Sequence, residues 1–260
     1  MSFPLTVIKI GGSIAEEDKC LSEIAASLCD VVQQGHKLAL VHGGGKDINR
    51  NLLLLDEKPL FINGLRVTSP KTMDMVEMTL SGYVNKKLVG FINRQGGRAI
   101  GISGVDASMF VCEPVSENLG QVGSIVKVDP YPVEVLLNNG FLPVVSPISV
   151  DKECIHYNVN ADEAARALAS VLRVDKLVFL SDVAGVLDAN NECIPELTPS
   201  IIEDLIQEGV VKDGMIPKLN SCVSVLKSGV GAVHICGWQG KACLTDQLLA
   251  DKKNGTIIRL

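Results

Sequence analysis

Two apolar segments of strand length end directly in glycine. VIKI is followed by Gly11 and Gly12, and LVH is followed by Gly43, Gly44 and Gly45. At the carboxyl ends of parallel strands, loops without Cβ atoms let backbone N–H groups approach phosphate oxygens, and the next helix N-terminus adds positive potential. One Gly-Gly pair alone is more often a tight turn. The two loops together therefore predict a phosphate-binding edge of a sheet.

Charged and polar side chains accompany these loops. Lys9 lies within the first apolar strand, where an unpaired ammonium is costly, so it lies at a sheet edge or faces an anion. Lys218, taken alone, is typical of a surface lysine. Asp162 and Asn158 in YNVNADEAA could simply cap a helix, and Arg66 beside an Asn-Gly turn could be solvated or bind a carboxylate through two guanidinium nitrogens.

Several familiar classes of site are excluded by their missing motifs. The chain has no G-x-x-x-x-G-K-[ST] loop and no G-x-G-x-x-G fingerprint, so neither a Walker-type site nor a dinucleotide site is expected. HGGG also occurs in esterases, but the G-x-S-x-G nucleophile elbow that they require is absent. In SDVAGVLD, Asp182 and Asp188 are either turn residues or nucleotide contacts.

Composition limits the fold and the partners. The 260 residues are 47% hydrophobic but only 4% aromatic, as in helix-covered parallel sheets built from Val, Ile, Leu and Ala. The net charge of -6 and the absence of a basic stripe argue against nucleic acid. The eight cysteines include no C-x-x-C pair, and no apolar run approaches ~18 residues, so we expect reduced, buried cysteines and a cytoplasmic protein without membrane attachment.

Strand and helix patterns alternate along nearly the whole chain. They predict a three-layer α/β/α sandwich with one mostly parallel open sheet, shared by two lobes (1–174 and 175–260). Asn63-Gly64 predicts a small hairpin over 60–67, and Ser69-Pro70 predicts the start of one long helix that ends at Gly96-Gly97. Residues 109–128 are typical of an antiparallel ribbon. The remaining strands are expected at 6–10, 37–41, 98–102, 141–146, 176–180, 232–236 and 256–259.

Taken in order, the motifs resemble those of the amino-acid kinase family over residues 7–256. The resemblance implies ATP-dependent transfer of a phosphoryl group to a side-chain carboxylate. NGLRVT and YNVNADEAA are the most specific segments, and they are similar to those of the branch that phosphorylates the γ-carboxylate of N-acetyl-L-glutamate in arginine biosynthesis. The matching motifs are KIGGS (9–13), VHGGG (41–45), NGLRVT (63–68), VNKKLVGFINRQGGRAIGISGVDA (84–107), LGQVGSIVKVDPYPVEVLL (119–137), YNVNADEAA (157–165), LSDVAGVLD (180–188) and DGMIPK (213–218).

The resemblance also implies that lobe 1–174 binds the acceptor and lobe 175–260 binds ATP, and it implies roles for individual residues. Lys9 and Lys218 would stabilise the transferring phosphoryl group from two sides, with Asp162 holding both lysines in place. The acceptor would be bound by Gly44, Gly45, Arg66 and Asn158. Mg²⁺ would be held mainly by the ATP phosphates, without protein ligands. The nucleotide would lie along Gly11, Gly12, Asp182, Val183, Ala184, Gly185, Val186, Leu187, Val210, Val211 and Lys212.

Elementary chemistry agrees with these implied roles, because a carboxylate is already a nucleophile at neutral pH and needs no catalytic base. The main barrier is repulsion between that carboxylate and a tetra-anionic nucleotide, which fixed cations and N–H donors reduce. Two alternatives stay open: a kinase acting on the longer acetylaminoadipate, and a non-catalytic nucleotide-binding regulator. Relatives inhibited by arginine carry an extra N-terminal helix, and only five residues precede Thr6 here, so we expect a homodimer without that control.

Overall fold

The computed structural model describes residues 4–11, 17–181, 183–212, 214–249 and 254–260. Gly12 and Asp182, two of the expected nucleotide contacts, lie outside these ranges. The strands are β1 (Leu5–Ile10), β2 (Lys37–His42), β3 (Phe61–Ile62), β4 (Leu65–Arg66), β5 (Ala99–Ser103), β6 (Phe110–Pro114), β7 (Gly123–Val128), β8 (Leu142–Ser146), β9 (Ile148–Val150), β10 (His156–Asn158), β11 (Lys176–Ser181), β12 (Glu196–Leu197), β13 (Ala232–Gly237) and β14 (Thr256–Ile258).

Most of the helices connect the strands of the main sheet. They are α1 (Asp18–Gln33), α2 (Gly45–Leu53), α3 (Pro70–Glu77), α4 (Asn85–Arg94), α5 (Tyr131–Asn138), α6 (Ala161–Leu172), α7 (Pro199–Gln207), α8 (Met215–Lys227) and α9 (Ala242–Leu249). A π-helical segment, Met78–Val84, joins α3 to α4.

The main sheet has eight strands in the order β12-β14-β13-β11-β1-β2-β8-β5. Its six neighbouring strands from β13 to β5 are parallel, while β14 runs antiparallel to β13 and β12 runs parallel to β14. Strands β2, β8 and β5 (residues 37–146) lie beyond β1, and strands β13, β14 and β12 (residues 196–258) lie beyond β11. This reversal of strand order is a topological switch point, where ligands bind in open α/β sheets.

Alternation along β1 divides the core into two layers. Val7 packs in the apolar cluster beneath α5, α6 and α8, whereas Ile8 and Ile10 pack in the cluster beneath α1, α4 and α9. Because side chains alternate across a strand, Lys9 points to the same face as Val7, towards α6 and α8. The predicted three-layer α/β/α sandwich with a mostly parallel sheet is therefore confirmed.

Two smaller sheets lie beside the main one. Strands β3 and β4 form the predicted hairpin, whose turn residues Asn63 and Gly64 both have positive φ. Strands β6 and β7 form the predicted antiparallel ribbon. They join β9 and β10, which the sequence patterns did not predict, in a four-stranded sheet of order β10-β9-β6-β7.

The long helix begins as predicted, because the Ser69 side chain accepts a hydrogen bond from the Thr72 N–H. The predicted long helix continues to Arg94, but the seven residues Met78–Val84 in its middle are π-helical. The expectation of buried cysteines is correct for Cys29, Cys112, Cys222 and Cys236, but it is wrong for Cys154 and Cys193, which are exposed. Within the described ranges, no helix has the length and apolar character needed to cross a membrane.

Candidate active site

The candidate site follows the carboxyl edge of three adjacent strands, β11, β1 and β2. A cavity lined by the glycine loop opens where β2 ends, and a second cavity opens beyond the end of β11. Strand β1 lies between them and carries Lys9 near its end. With neighbouring strands about 4.8 Å apart, the ends of β2 and β11 are separated by about 10 Å.

Lys9 is held by an ion pair with Asp162. The ammonium lies 2.9 Å from Asp162 Oδ1, and the two side chains are 16% and 27% exposed. Asp162 belongs to the first turn of α6, where a carboxylate also interacts favourably with the helix N-terminus. Oδ1 is buried and receives no hydrogen bond of normal geometry from the described residues, so this contact with Lys9 is electrostatic. The result is a fixed, partly accessible ammonium between the two cavities.

Lys218 approaches the same face from the first turns of α8. Its ammonium lies 5.8 Å from the centroid of the Phe179 ring, and Phe179 is the residue on β11 that is paired with Lys9. One turn further along α8, the buried Cys222 thiol lies within electrostatic range of both Lys218 and Asp162, and burial raises the pKa of this thiol to about 11. Both lysines are thus near one point of the sheet. In the described part of the chain, Asp162 pairs with Lys9 and not with Lys218.

Arg66 is the main cation of the cavity at the end of β2, which has a volume of about 200 Å³. The residue is only 7% exposed, and its guanidinium stacks 4.8 Å from the Phe61 ring centroid. Nη2 donates to the Gly45 carbonyl at 3.1 Å, but Nη1 is buried without a hydrogen-bond partner. Burial lowers the pKa of Arg66 from its ordinary value. A buried guanidinium with an unused donor is well suited to a ligand carboxylate.

The glycine loop forms the floor of this cavity. Gly43 N–H donates to Ile10 O and so extends the sheet, and Gly44 occupies the N-cap position of α2. Neither the Gly44 N–H nor the Gly45 N–H donates a hydrogen bond within the described ranges, so both are available to an anion. Gly11 differs, because its N–H donates to Leu180 O at 2.8 Å. Its expected nucleotide contact stays a prediction.

Asn158 and Asn160 have different functions at the start of α6. The interpretation of Asn158 as a helix cap is wrong, because the Asn160 side chain accepts from the N–H groups of Asp162 and Glu163 instead. Asn158 lines the cavity and donates from Nδ2 to Thr68 Oγ1 at 3.3 Å. The structure thus brings four of the expected acceptor contacts, Gly44, Gly45, Arg66 and Asn158, into one cavity.

The second cavity measures about 340 Å³ and has mostly apolar walls. Gly185 is closely packed there, since a Cβ would lie 2.5 Å from Cys193 Sγ and 2.8 Å from Thr256 Oγ1. An apolar cleft beyond a parallel strand suits a flat aromatic base. This cavity is lined by Met215 and by every expected nucleotide contact that the structure describes in the second half of the chain. Those contacts are Val183, Ala184, Gly185, Val186, Leu187, Val210, Val211 and Lys212.

Comparison with known proteins agrees with this geometry. Residues 4–237 match the model of the amino acid kinase family. The chain belongs to this family. An acetylglutamate kinase of Dinoroseobacter shibae is 42% identical over 98% of this chain and 89% of its own length, and one of Clostridioides difficile is 40% identical over 97% and 90%. The structure of Giardia carbamate kinase has the same fold, with a TM-score of 0.73 at 16% identity over 100% of this chain and 99% of that one.

Sequence reasoning missed several polar residues around the site of this amino acid kinase. His42 and Asn85 form a buried pair behind the glycine loop, and Ser81 is hydrogen-bonded to Ser146 at the end of β8. The available signal was His42 itself, a histidine directly before three glycines at a strand end. Only the glycines of that motif were interpreted as functional.

Proposed function

We propose that this amino acid kinase transfers the γ-phosphoryl group of ATP to the γ-carboxylate of N-acetyl-L-glutamate, giving N-acetyl-L-glutamyl 5-phosphate for arginine biosynthesis. The observation that carries the proposal is the order of groups along one sheet edge. A cavity with an unpaired buried guanidinium lies at the end of β2, the Lys9–Asp162 pair lies on β1, and an apolar cleft lies beyond β11. The identity of 40–42% to acetylglutamate kinases over nearly the whole chain supports the choice of acid.

The acceptor is oriented by its α-carboxylate. Arg66 Nη1, the unused donor, binds this group, and Asn158 contacts it from β10. The γ-carboxylate then extends over Gly44 and Gly45 towards the end of β1. Binding therefore places the nucleophilic oxygen next to the lysines, which is the positioning that an in-line transfer requires.

Phosphoryl transfer needs charge stabilisation rather than proton transfer. A bond forms between a γ-carboxylate oxygen and the γ-phosphorus while the bond from that phosphorus to the bridging oxygen of ADP breaks, and no proton changes place. Lys9 and Lys218 lie on either side of the transferring group and reduce the repulsion between the two anions. Asp162 keeps the Lys9 ammonium at the strand end instead of in solvent.

ATP occupies the cleft beyond β11, so the acceptor belongs to lobe 1–174 and the nucleotide to lobe 175–260. The cavities support this division, since residues 43–161 line the first and residues 183–215 line the second. The positive charges of Lys9, Lys218 and Arg66, reduced by the negative charge of Asp162, do not neutralise a tetra-anionic nucleotide and a dicarboxylate. Mg²⁺ bound mainly to the ATP phosphates supplies the missing positive charge.

We also propose a cytoplasmic homodimer. Leu54 directly after α2 and Met78 and Tyr83 in the π segment are exposed, and these two helical elements pack side by side. Such apolar surface suits a partner copy. Light scattering at micromolar protein concentration should give twice the mass of 27.7 kDa. A monomeric mass would contradict the dimer without affecting the catalytic proposal.

Trapping the acyl phosphate tests the proposed reaction. Purified protein is incubated with Mg-ATP, hydroxylamine and either N-acetylglutamate or the one-carbon-longer acetylaminoadipate, and the hydroxamate is measured. We expect saturable, acid-dependent hydroxamate with a higher kcat/KM for the shorter acid, although one methylene discriminates by only ~1–3 kcal/mol. Preference for the longer acid would change the substrate assignment. ATP binding without hydroxamate from either acid would favour a regulator.

A further inference from the structure

His42 is the last residue of β2 and is completely buried behind the glycine loop. Its ring Nδ1 lies 2.9 Å from the Gly43 carbonyl oxygen, and its Nε2 lies 3.2 Å from Asn85 Nδ2. The ring does not line the acceptor cavity, although the next three residues do. A buried imidazole in this place contacts the backbone of the loop and not the ligand.

The partners of the ring determine its tautomer. A carbonyl oxygen only accepts, so Nδ1 carries the hydrogen and Nε2 accepts from Asn85. The Asn85 amide is oriented in turn, because Nδ2 donates to Val144 O at 2.9 Å and Oδ1 accepts from Lys86 Nζ at 3.0 Å. Burial lowers the pKa of His42 to about 4, and the Lys86 charge acts in the same direction. The ring therefore stays neutral, with its donor directed at Gly43.

Two glycines make room for side chains of the helix that packs behind the loop. A Cβ on Gly101 would overlap Asn85 Oδ1, and a Cβ on Gly44 would lie 2.6 Å from Leu80 Cδ2. Leu80 belongs to the π segment that ends immediately before Asn85. Each α-helical residue turns by about 100°, so the wider π turn changes the direction in which Asn85 points. The side chain of Leu80 packs against Gly44, and the ring of His42 hydrogen-bonds to Gly43, so both contacts restrain the conformation of the glycine loop.

We propose that His42 is a positioning residue that orients the Gly43–Gly44 peptide for phosphoryl transfer. In a trans peptide the C=O and N–H bonds point in opposite directions. With the Gly43 carbonyl held by the buried ring, the Gly44 N–H faces the acceptor cavity, where it stabilises the oxygen atoms of the reacting groups. This inference rests on the proposed function, and it assigns His42 no contact with substrate.

Replacing His42 with asparagine or leucine separates positioning from packing. The two side chains are similar in size and leave similar space, but only asparagine keeps a nitrogen donor near the position of Nδ1. We expect His42→Leu to lower kcat about 100-fold with less than about 3-fold change in the KM of the acid, as for a misplaced transition-state donor. His42→Asn should retain kcat within about 10-fold of wild type.

If His42 only fills space in the core, His42→Leu should keep a higher kcat than His42→Asn, because leucine suits a buried site better than asparagine does. Thermal unfolding of both variants is therefore measured beside kcat. Equal losses in the two variants, losses that follow Tm, or a leucine variant as active as wild type would overturn the inference. Failure of the wild-type protein to form hydroxamate would instead reject the proposed function.

An NMR measurement on the wild-type protein covers the case in which neither variant folds. When glycine is labelled with both ¹³C-carbonyl and ¹⁵N, a carbonyl-correlated spectrum selects glycine amides that are preceded by another glycine. In this sequence they are Gly12, Gly44, Gly45 and Gly97. We expect saturation with the acid and ADP to shift the Gly44 resonance downfield while Gly97, at the opposite edge of the sheet, stays unchanged. A Gly44 resonance that does not move would contradict the proposed orientation.

Discussion

Replacing Arg66 with methionine should separate stability from acid binding. Wild-type Arg66 is a buried cation whose Nη1 has no hydrogen-bond partner, an arrangement that costs free energy until a carboxylate arrives. Methionine fills similar space without charge. We therefore expect the free energy of unfolding of Arg66→Met, measured without ligand, to equal or exceed that of wild type.

The same variant, Arg66→Met, should bind the acid with lower affinity than wild type. Loss of a charge-assisted hydrogen bond in a buried site costs about 3 kcal/mol, which corresponds to roughly 150-fold in affinity. Wild type should gain about 2.7 kcal/mol of stability at an acid concentration 100 times its Kd, whereas the variant should gain almost none at that concentration. Calorimetric titration with the acid and thermal unfolding with and without it provide the two measurements.

Arg98→Met is the matched control. Arg98 also stacks on an aromatic ring, 4.2 Å from the Phe141 centroid, but it lies outside the acceptor cavity. Its replacement should leave acid affinity within about 2-fold of wild type. Unchanged affinity in Arg66→Met, or an equal loss in Arg98→Met, would refute the assignment of Arg66 to the acceptor carboxylate.

Three further changes probe the site. Lys218→Ala should lower kcat by about 100-fold or more with a smaller effect on the KM of either substrate, and steady-state kinetics showing a loss in KM alone would contradict its role. The pKa of His42 falls from 6.5 to about 4 on folding, so between these pH values the unfolded chain binds more protons than the folded chain. The contribution of His42 to the free energy of unfolding is therefore fully present above pH 6.5, and it falls by up to roughly 3 kcal/mol as the pH approaches 4. Urea unfolding should show that slope in wild type and lose it in His42→Asn. Gly44→Ala should lower Tm and kcat because its Cβ would meet Leu80 Cδ2 at 2.6 Å, whereas Gly45→Ala, with no atom within 4 Å of its Cβ, should fold with wild-type Tm.

Local sequence signals predicted much of the fold because their physical causes are local. Asn63-Gly64 specifies a turn with two positive φ angles, and Ser69 caps the helix that follows it. The π segment was missed although a signal existed. Five buried residues, Val76, Leu80, Val84, Leu88 and Ile92, follow one another at a spacing of four. In a regular α-helix, each residue of such a series lies about 40° further around the helix axis than the one before it. A wider π turn offsets this rotation and keeps the five side chains on one face.

The site was predictable only in part, because its geometry depends on contacts distant in sequence. Motif order brought Lys9, Asp162 and Arg66 to attention, and the fold gathers them at one sheet edge. Which asparagine caps α6 depends on where β10 ends, so Asn160 could not be told from Asn158 by composition. The His42–Asn85 pair joins residues 43 positions apart, and no local pattern indicates it.

A crystal structure of the protein with N-acetylglutamate and a non-hydrolysable ATP analogue would show the proposed arrangement of both substrates. We expect the Lys9 and Lys218 ammonium groups to lie within about 3 Å of γ-phosphoryl oxygens, and the α-carboxylate of the acid to bind Arg66 Nη1. A closed complex with either lysine directed into bulk solvent, or with the acid bound away from the glycine loop, would contradict it.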